Sequence, residues 1–443
     1  MSGFATLIFA LHIRLAMGME KSDYKIHIVG AGVSGLIAAL VLEGKGYSPI
    51  IMEATNRIGG RVKTDVVDGV PLDHGFQVML TAYPMVNTYL DLKALELCYF
   101  QSGATIYTKD GVTKIGDPRR NPSLLFPTLW SSIATFGDKI KIFRLQQELK
   151  RKSTAQIFET PEQSTLSYLK GRGFSETVIQ QFFVPFFSGI FLENDLQTSS
   201  RMFEFVYKMF GEGLAAIPRQ GIGAIPEQLR SKLKRTRFLL DTEVFEVKDD
   251  HILLKDGTKL DTHFTIIATD ASIMVSNLRK QEVQWKRCDT LYFEVPRMKS
   301  RAKLIGLVAD GDALINTIVS LSNLFELSNK KDILSVTVVK QHPWSVEELG
   351  AKVSEELRKI LGIEAPKLLR HYAIPKALPE ISNLKNDLEP EETRLTTRIF
   401  LAGDTLLNGS LNAAMKAGEQ AAYSVVNLLE DSPNLAQFTT EYL

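Results

Sequence analysis

Cysteine is nearly absent: Cys98 and Cys288 are the only two in 443 residues. That excludes a disulfide-stapled scaffold and a cysteine-rich metal centre. Net charge is nearly absent too, with 52 Lys+Arg against 51 Asp+Glu. Such a balance excludes broad electrostatic capture of nucleic acid, which needs a clear basic excess. No apolar run reaches the ~20 residues that span a bilayer, so no transmembrane helix is expected. The histidines, at 12, 27, 74, 251, 263, 342 and 371, show no ligand spacing, and no metal is expected. Internal repeats and low-complexity linkers are also missing. What remains is a chain with 44% hydrophobic and 9% aromatic residues, ample for packed cores and unlike a disordered protein. At roughly 100–200 residues per domain its length allows two or three domains.

Residues 1–18 are expected to be a disordered or spurious extension. Their apolar stretch has no basic residues before it, and Met17 and Met19 stand just ahead of a strand-like segment. The rest reads as a cytoplasmic chain, with peripheral membrane contact left open. The most apolar patch is Phe182-Phe183-Val184-Pro185-Phe186-Phe187, read as core or pocket wall, or else as a lipid-facing entrance.

The informative segment begins at Lys25. Lys25–Val29 is a β-branched run typical of a buried strand. Gly30-Ala-Gly32-Val33-Ser34-Gly35 follows, then apolar residues at helical spacing to Leu42, then a second strand, Pro49–Met52, closed by Glu53. Strand, glycine turn, helix, strand and acid form the context that a dinucleotide-binding loop requires. Gly30 permits the tight turn. Gly32 lets backbone approach a pyrophosphate, and Gly35 lets the helix lie close on the strand. The helix start, with Val33 and Ser34, offers N–H groups and partial positive charge to phosphate. Glu53 can accept hydrogen bonds from ribose hydroxyls, and its charge disfavours a 2′-phosphate. Ala54 follows, then Arg57-Ile-Gly59-Gly60-Arg61: two cations to balance a diphosphate, and two glycines that let backbone pass beside the cofactor.

Near the other end, Arg398–Ala402 reads as a buried strand, ended by Gly403-Asp404, where a carboxylate can meet cofactor hydroxyls. Gly409-Ser410 caps a helix from about Leu411. Its expected apolar face is Leu411, Ala414, Met415, Gly418, Ala421, Ala422, Val425, Leu428 and Leu429. Its N-terminus would stabilise negative charge. Between these ends, residues 118–212 are mainly helical by pattern. Phe238-Leu-Leu, Glu243–Val247 and Ile252–Leu254 read as a β-meander before a core strand at Phe264–Ala268. Residues 286–340 are strand-rich, and Val346–Leu361 reads as an amphipathic helix.

Arg57-Ile-Gly59-Gly60-Arg61, after a glycine loop and an acid, resembles the hallmark of the FAD-dependent amine oxidase, phytoene desaturase and protoporphyrinogen oxidase superfamily. Pro71-Leu-Asp-His-Gly75-Phe76-Gln77 is similar to the family's flavin-proximal segment, and Ile399–Asp404 with Asn408–Ala422 to its C-terminal FAD-closing segment. The resemblance implies an α/β fold: a discontinuous Rossmann-type (GR2-like) FAD domain of residues 19–90, 213–285 and 376–443. Interleaved with it would be an α+β substrate domain of residues 91–212 and 286–375. It also implies that Val244 lies near the adenine and that hydride passes from a small organic substrate to flavin N5. No catalytic side chain is identified.

Departures from the family shape the rest. No cysteine lies between 289 and 443, where some relatives tether FAD, so FAD is expected to be non-covalent. Ser410 stands where amine oxidases often carry an aromatic residue, and only Lys286 is available as the lysine they frequently place near N5. These departures lower the amine reading, and the apolar, phenylalanine-rich middle region favours a bulky hydrophobic substrate for a desaturase- or oxidase-type enzyme. The alternatives are a flavin amine oxidase, a non-redox flavoprotein isomerase, a non-catalytic prenyl- or lipid-binding protein of this fold, and a NAD-only dehydrogenase. Oligomeric state and electron acceptor are left open.

Overall fold

The computed structural model describes residues 20–117, 120, 133–275, 278, 282–328 and 331–431. The expected extension at 1–18 lies outside the described residues. The chain divides into two compact units. One draws on Met1–Gly60, Pro226–Val283 and Asp387–Leu443; the other on Arg61–Ile225 and Gln284–Asn386.

The first unit is built on a five-stranded sheet ordered Arg237–Leu239, Ile50–Met52, Ile26–Val29, Phe264–Ile267, Ile399–Leu401, all parallel. Ile26–Val29 is buried along its whole length, as a central parallel strand with both faces covered must be. The next strand in sequence, Ile50–Met52, lies on one side of it and Phe264–Ile267 on the other. The order therefore reverses at the carboxyl end of Ile26–Val29, where open α/β sheets bind ligands. Val244–Val247, His251–Leu254 and Lys259–Asp261 form a separate antiparallel meander. Phe238 does not belong to it, contrary to the sequence reading. Arg237–Leu239 pairs in parallel with Ile50–Met52, and a three-residue strand carries too little alternation to reveal its partner.

The C-terminal helix runs Leu411–Asp431 and departs from the single apolar stripe expected of it. Asn412, Ala413, Ala417, Gln420, Ser424 and Val426 are buried as well, while Leu428 and Leu429 are only half-buried. Two packing partners explain this. Ala413 and Ala417 pack with Leu388 and Leu407. Another face meets the helix Val33–Gly44, where a Cβ on Gly418 would stand 2.2 Å from the Ser34 carbonyl oxygen.

The second unit carries a seven-stranded sheet ordered Lys367–Pro379, Trp285–Pro296, Lys331–Val338, Ile315–Ser320, Ile305–Val308, Gly103–Thr108, Gly111–Gly116. The helix Val346–Leu361 forms as its sequence predicts. Ser345 and Glu348 make a reciprocal cap, and Gly362 closes the end at φ 62°. Its Leu349, Val353 and Leu357 pack with Leu291, Phe293, Val336 and Val338 of the sheet. The phenylalanine run is core on its inner face. Phe183 and Phe187 are fully buried with Phe203, and the Phe187 and Phe203 rings lie 4.7 Å apart.

The unit boundaries differ from those expected. Residues 61–90, 213–225, 284–285 and 376–386 fall in the second unit rather than the first. Backbone pairing is the reason. Met79–Leu80 and Leu97–Tyr99 both pair with Ala215–Pro218, and a break at 376 would cut the strand Lys367–Pro379.

Close packing at Gly418 gives a paired test. Gly418→Ala should lower stability by about 3 kcal/mol, because backbone must move to admit the methyl group. Gly44→Ala, whose added methyl group would meet nothing within 4 Å, should change it by less than about 1 kcal/mol. Thermal melts of the two variants check this.

Candidate functional site

The glycine loop is set by contacts that only glycine tolerates. Gly30 has φ 103°, and a Cβ there would sit 3.0 Å from the Ala268 carbonyl oxygen. A Cβ on Gly35 would lie 2.1 Å from the oxygen of Gly30. The helix Val33–Gly44 starts at Gly32 with no side-chain cap, so its first N–H groups are presented by a bare backbone. Val33 and Ser34 are buried. The Ser34 hydroxyl donates to the Ala414 carbonyl at 2.7 Å, so its side chain serves helix packing, and any role toward a ligand belongs to its backbone.

Glu53 closes the second strand and holds the loop. One carboxylate oxygen accepts from the Ala31 N–H at 2.9 Å. The other accepts from the Thr55 N–H at 3.0 Å and hydroxyl at 2.8 Å. The Arg57 carbonyl lies 2.9 Å from the same hydroxyl, and Ala54 is exposed. Gly59 donates to the Ala31 carbonyl at 2.9 Å, and a Cβ on Gly60 would be 3.2 Å from the Cα of Gly32. The second glycine pair thus lets one loop lie on the other, a closer reason for it than passage beside a cofactor. Val244 is buried in a cluster with Val29, Met52 and Ile267, so its side chain is core.

Gly403, at φ 142°, ends the strand Ile399–Leu401 and leads into a turn at Asp404–Leu406. Asp404 is buried, and its carbonyl accepts from the Gly409 N–H at 3.0 Å. Ser410 is the expected cap: its hydroxyl accepts from the Ala413 N–H at 3.1 Å and donates to Asn408 at 2.7 Å. Leu411 then begins the helix.

The remaining expected residues belong to the second unit. The Arg61 guanidinium lies 5.0 Å from the centre of the Trp285 ring. Gly75 has φ 100°, with Ile374 3.1 Å from where its Cβ would be. Phe76 meets Phe100 edge to face, and Gln77 donates to the Arg61 and His74 carbonyls at 2.9 and 3.2 Å. Sequence reasoning missed what fixes this segment. Asp65 accepts from the Tyr372 hydroxyl at 2.7 Å and lies 2.9 Å from His74, whose ring stacks on Tyr372 at 4.1 Å. Burial, with that bond, pushes the Tyr372 hydroxyl up to about 12. Asp73 is buried and accepts from the Thr64 hydroxyl at 2.5 Å and the Ile222 N–H at 2.9 Å, while Tyr292 donates to its carbonyl. A Cβ on Gly221 would meet Thr64 at 2.4 Å, so the Gly221-Ile-Gly223 turn was the available signal. Lys286 pairs with Glu193, and its ammonium lies 3.1 Å from the Thr198 hydroxyl. Among the described residues no group of three or more His, Cys, Asp or Glu is placed to hold a metal ion.

The family model for flavin containing amine oxidoreductases matches residues 33–426. Among curated proteins, protoporphyrinogen oxidase 2 of Arabidopsis thaliana is 29% identical over 168 residues, 38% of this chain and 32% of that protein. L-amino-acid oxidase of Crotalus adamanteus is 31% identical over 157 residues, 34% of this chain and 30% of its own length. The chain thus matches about a third of the length of these relatives. Solved structures align far more widely. A putative protoporphyrinogen oxidase from Exiguobacterium sp. 255-15 gives a TM-score of 0.68 at 18% identity, covering 92% of this chain and 99% of that one. Putrescine oxidase bound to putrescine gives 0.68 at 17%, covering 91% and 99%. At such identity the likeness establishes the fold, which is the α/β architecture expected.

Burial pushes the Asp73 carboxyl up to about 6, against the opposing pull of its two hydrogen bonds. A raised carboxyl pKa means the folded state holds the proton more tightly than the unfolded chain does. Its stabilising effect is complete below about pH 4 and lost as pH rises through about 6. Asp73→Asn should therefore flatten the stability profile in that window, removing a slope worth up to about 3 kcal/mol. Denaturant titrations at stepped pH measure it; identical slopes in both proteins would contradict the buried, protonatable Asp73.

Proposed function

The chain belongs to the family of flavin containing amine oxidoreductases, and from that premise we propose that it is an FAD-dependent oxidoreductase that binds its cofactor without a covalent link. The carrying observation is the loop Gly30–Gly35, drawn tight by glycines and ending in an uncapped helix start, with Glu53 beside it. This donor set suits a dinucleotide: backbone N–H groups and a helix N-terminus for the pyrophosphate, a carboxylate for the ribose. Arg57 and Arg61 are assigned to charge balance. Asp404 and the start of the helix at Ser410 and Leu411 are assigned to the flavin end. When bound, the isoalloxazine ring supplies the hydride-accepting atom. The first unit is then the cofactor unit, and the second the substrate unit.

The thiols support a non-covalent cofactor. Cys98 and Cys288 are both buried and free. Burial pushes the Cys288 thiol up to about 12 and raises that of Cys98, so neither is a ready nucleophile. For the substrate we favour an apolar or weakly charged organic molecule over an amine. Ser410 occupies the place of the aromatic residue that amine-oxidising relatives often carry, and its hydroxyl is committed to capping the helix. The buried Phe183, Phe187 and Phe203 no longer argue for this, being core. The proposed chain residues bind, orient and exclude water; no side chain is assigned a proton transfer.

Purified protein should show flavin absorbance, released into the supernatant by acid precipitation; flavin retained in the pellet would refute the non-covalent link. Glu53→Ala should weaken FAD retention about tenfold or more, the loss of charge-assisted hydrogen bonds. Full occupancy in that variant would overturn the cofactor assignment. Anaerobic bleaching by apolar candidates rather than by amines is the expected substrate result, and rapid bleaching by amines alone would reverse the preference.

A further inference from the structure

The described residues expose few large apolar side chains, and three of them share the helix Phe136–Arg151: Phe136 at 77%, Ile140 at 39% and Phe143 at 53%. Their i, i+4, i+7 spacing puts them on one face. At about 100° per residue, Lys139 and Lys150 flank that stripe on one side and Arg144 and Arg151 on the other. The opposite face, with Asp138, Leu145 and Leu149, is buried. The helix carboxylates are turned to internal tasks. Asp138 accepts from Thr135 and from Ser175, and Glu148 forms a two-pronged pair with Arg172 at 2.7 and 2.8 Å. Beside the stripe an open hollow of about 630 Å³ is lined by Phe143, Arg144, Arg151 and Lys152, along with Glu148 and Glu159.

We infer that this face of the helix Phe136–Arg151 docks on an anionic lipid surface. A stripe of bulky apolar side chains between two rows of cations is what lies at a headgroup boundary, apolar groups entering the acyl edge and cations meeting phosphate and carboxylate. Nucleic acid would meet the cations but leave Phe136 and Ile140 with nothing to bury. The helix is about 24 Å long and tied at its start by Asp138, so it is presented as a formed platform rather than one that folds on contact. The hollow has room and charge for a lipid headgroup.

Vesicle flotation of the full-length protein tests this, with pure phosphatidylcholine against equal parts phosphatidylcholine and phosphatidylserine. Binding is expected to the mixed vesicles and to fall steeply with salt. Phe136→Ser, Ile140→Ser and Phe143→Ser together should weaken it roughly tenfold to a hundredfold. Lys150→Glu with Arg151→Glu, which leaves the buried face untouched, should weaken binding to the mixed vesicles and leave the melting temperature unchanged. Equal binding by wild type and both variants overturns the inference, as does a preference for neutral vesicles. A wild-type dimer dispersed by the serine substitutions would overturn it by making a second copy the occupant. A lower melting temperature for that variant would overturn it by showing that the chain covers its own stripe. Flavin content serves as a control, since no outcome here bears on the cofactor site.

Discussion

The first unit depends on backbones converging where no side chain can stand. Gly35 meets the oxygen of Gly30, Gly60 meets Gly32, and Gly418 meets Ser34. These contacts lock one strand, two loops and two helices together. They place a helix start with no side-chain cap at the carboxyl end of the central strand, where the order of the sheet reverses. A methyl group at Gly35 or Gly418 would overlap backbone, which cannot rotate out of the way as a flexible side chain can. The proposed phosphate-binding geometry is therefore a by-product of how closely the elements approach one another. Glu53 acts within the same constraint, since its carboxylate ties Ala31 of the first loop to Thr55 of the second.

Legibility in the sequence follows the range of the forces involved. The segment from Ile26 to Glu53 was readable because one strand, one turn and one helix carry local signals: a β-branched run, three spaced glycines, an apolar period. The helix Val346–Leu361 was readable for the same reason, with a Ser345–Glu348 cap at one end and Gly362 at the other. Phe238 was misplaced because a short strand acquires its identity from the strand it pairs with. The boundary after Gly60 was hidden because pairing of Met79–Leu80 with Ala215–Pro218 spans more than a hundred residues. The burial of a second face of the C-terminal helix was hidden too. Alanine and serine are small enough to be enclosed without being markedly hydrophobic, so Ala413, Ala417 and Ser424 left no periodic trace.

Residues of the proposed site were legible as types more than as partners. Gly75-Phe76-Gln77 stood out by resemblance, but nothing local announces that Asp65 joins His74 to Tyr372 across three hundred residues. Asp73 shows the same limit. Nothing around it in the sequence announces burial, yet it is a buried acceptor for Thr64 and for the backbone of Ile222. A buried carboxyl is costly unless hydrogen-bonded or protonated. Its two donors and its raised pKa together explain how it is tolerated next to the segment it supports.

The near-zero net charge is an average, and an average says nothing about placement. Along the helix Phe136–Arg151 the side chains of Arg144, Lys150 and Arg151 are exposed while Asp138 is buried and Glu148 is paired with Arg172, so a balanced composition yields a locally basic face. A Debye length of roughly 8 Å at physiological salt makes that local face, not the overall sum, what a charged surface encounters. The proposed apolar substrate and the proposed lipid contact then make the same demand of the second unit. A molecule that partitions into a bilayer reaches a protein most readily from the interface, where its local concentration is highest. A unit that takes up such a molecule gains from resting there through weak, salt-sensitive contacts, which release it as easily as they hold it.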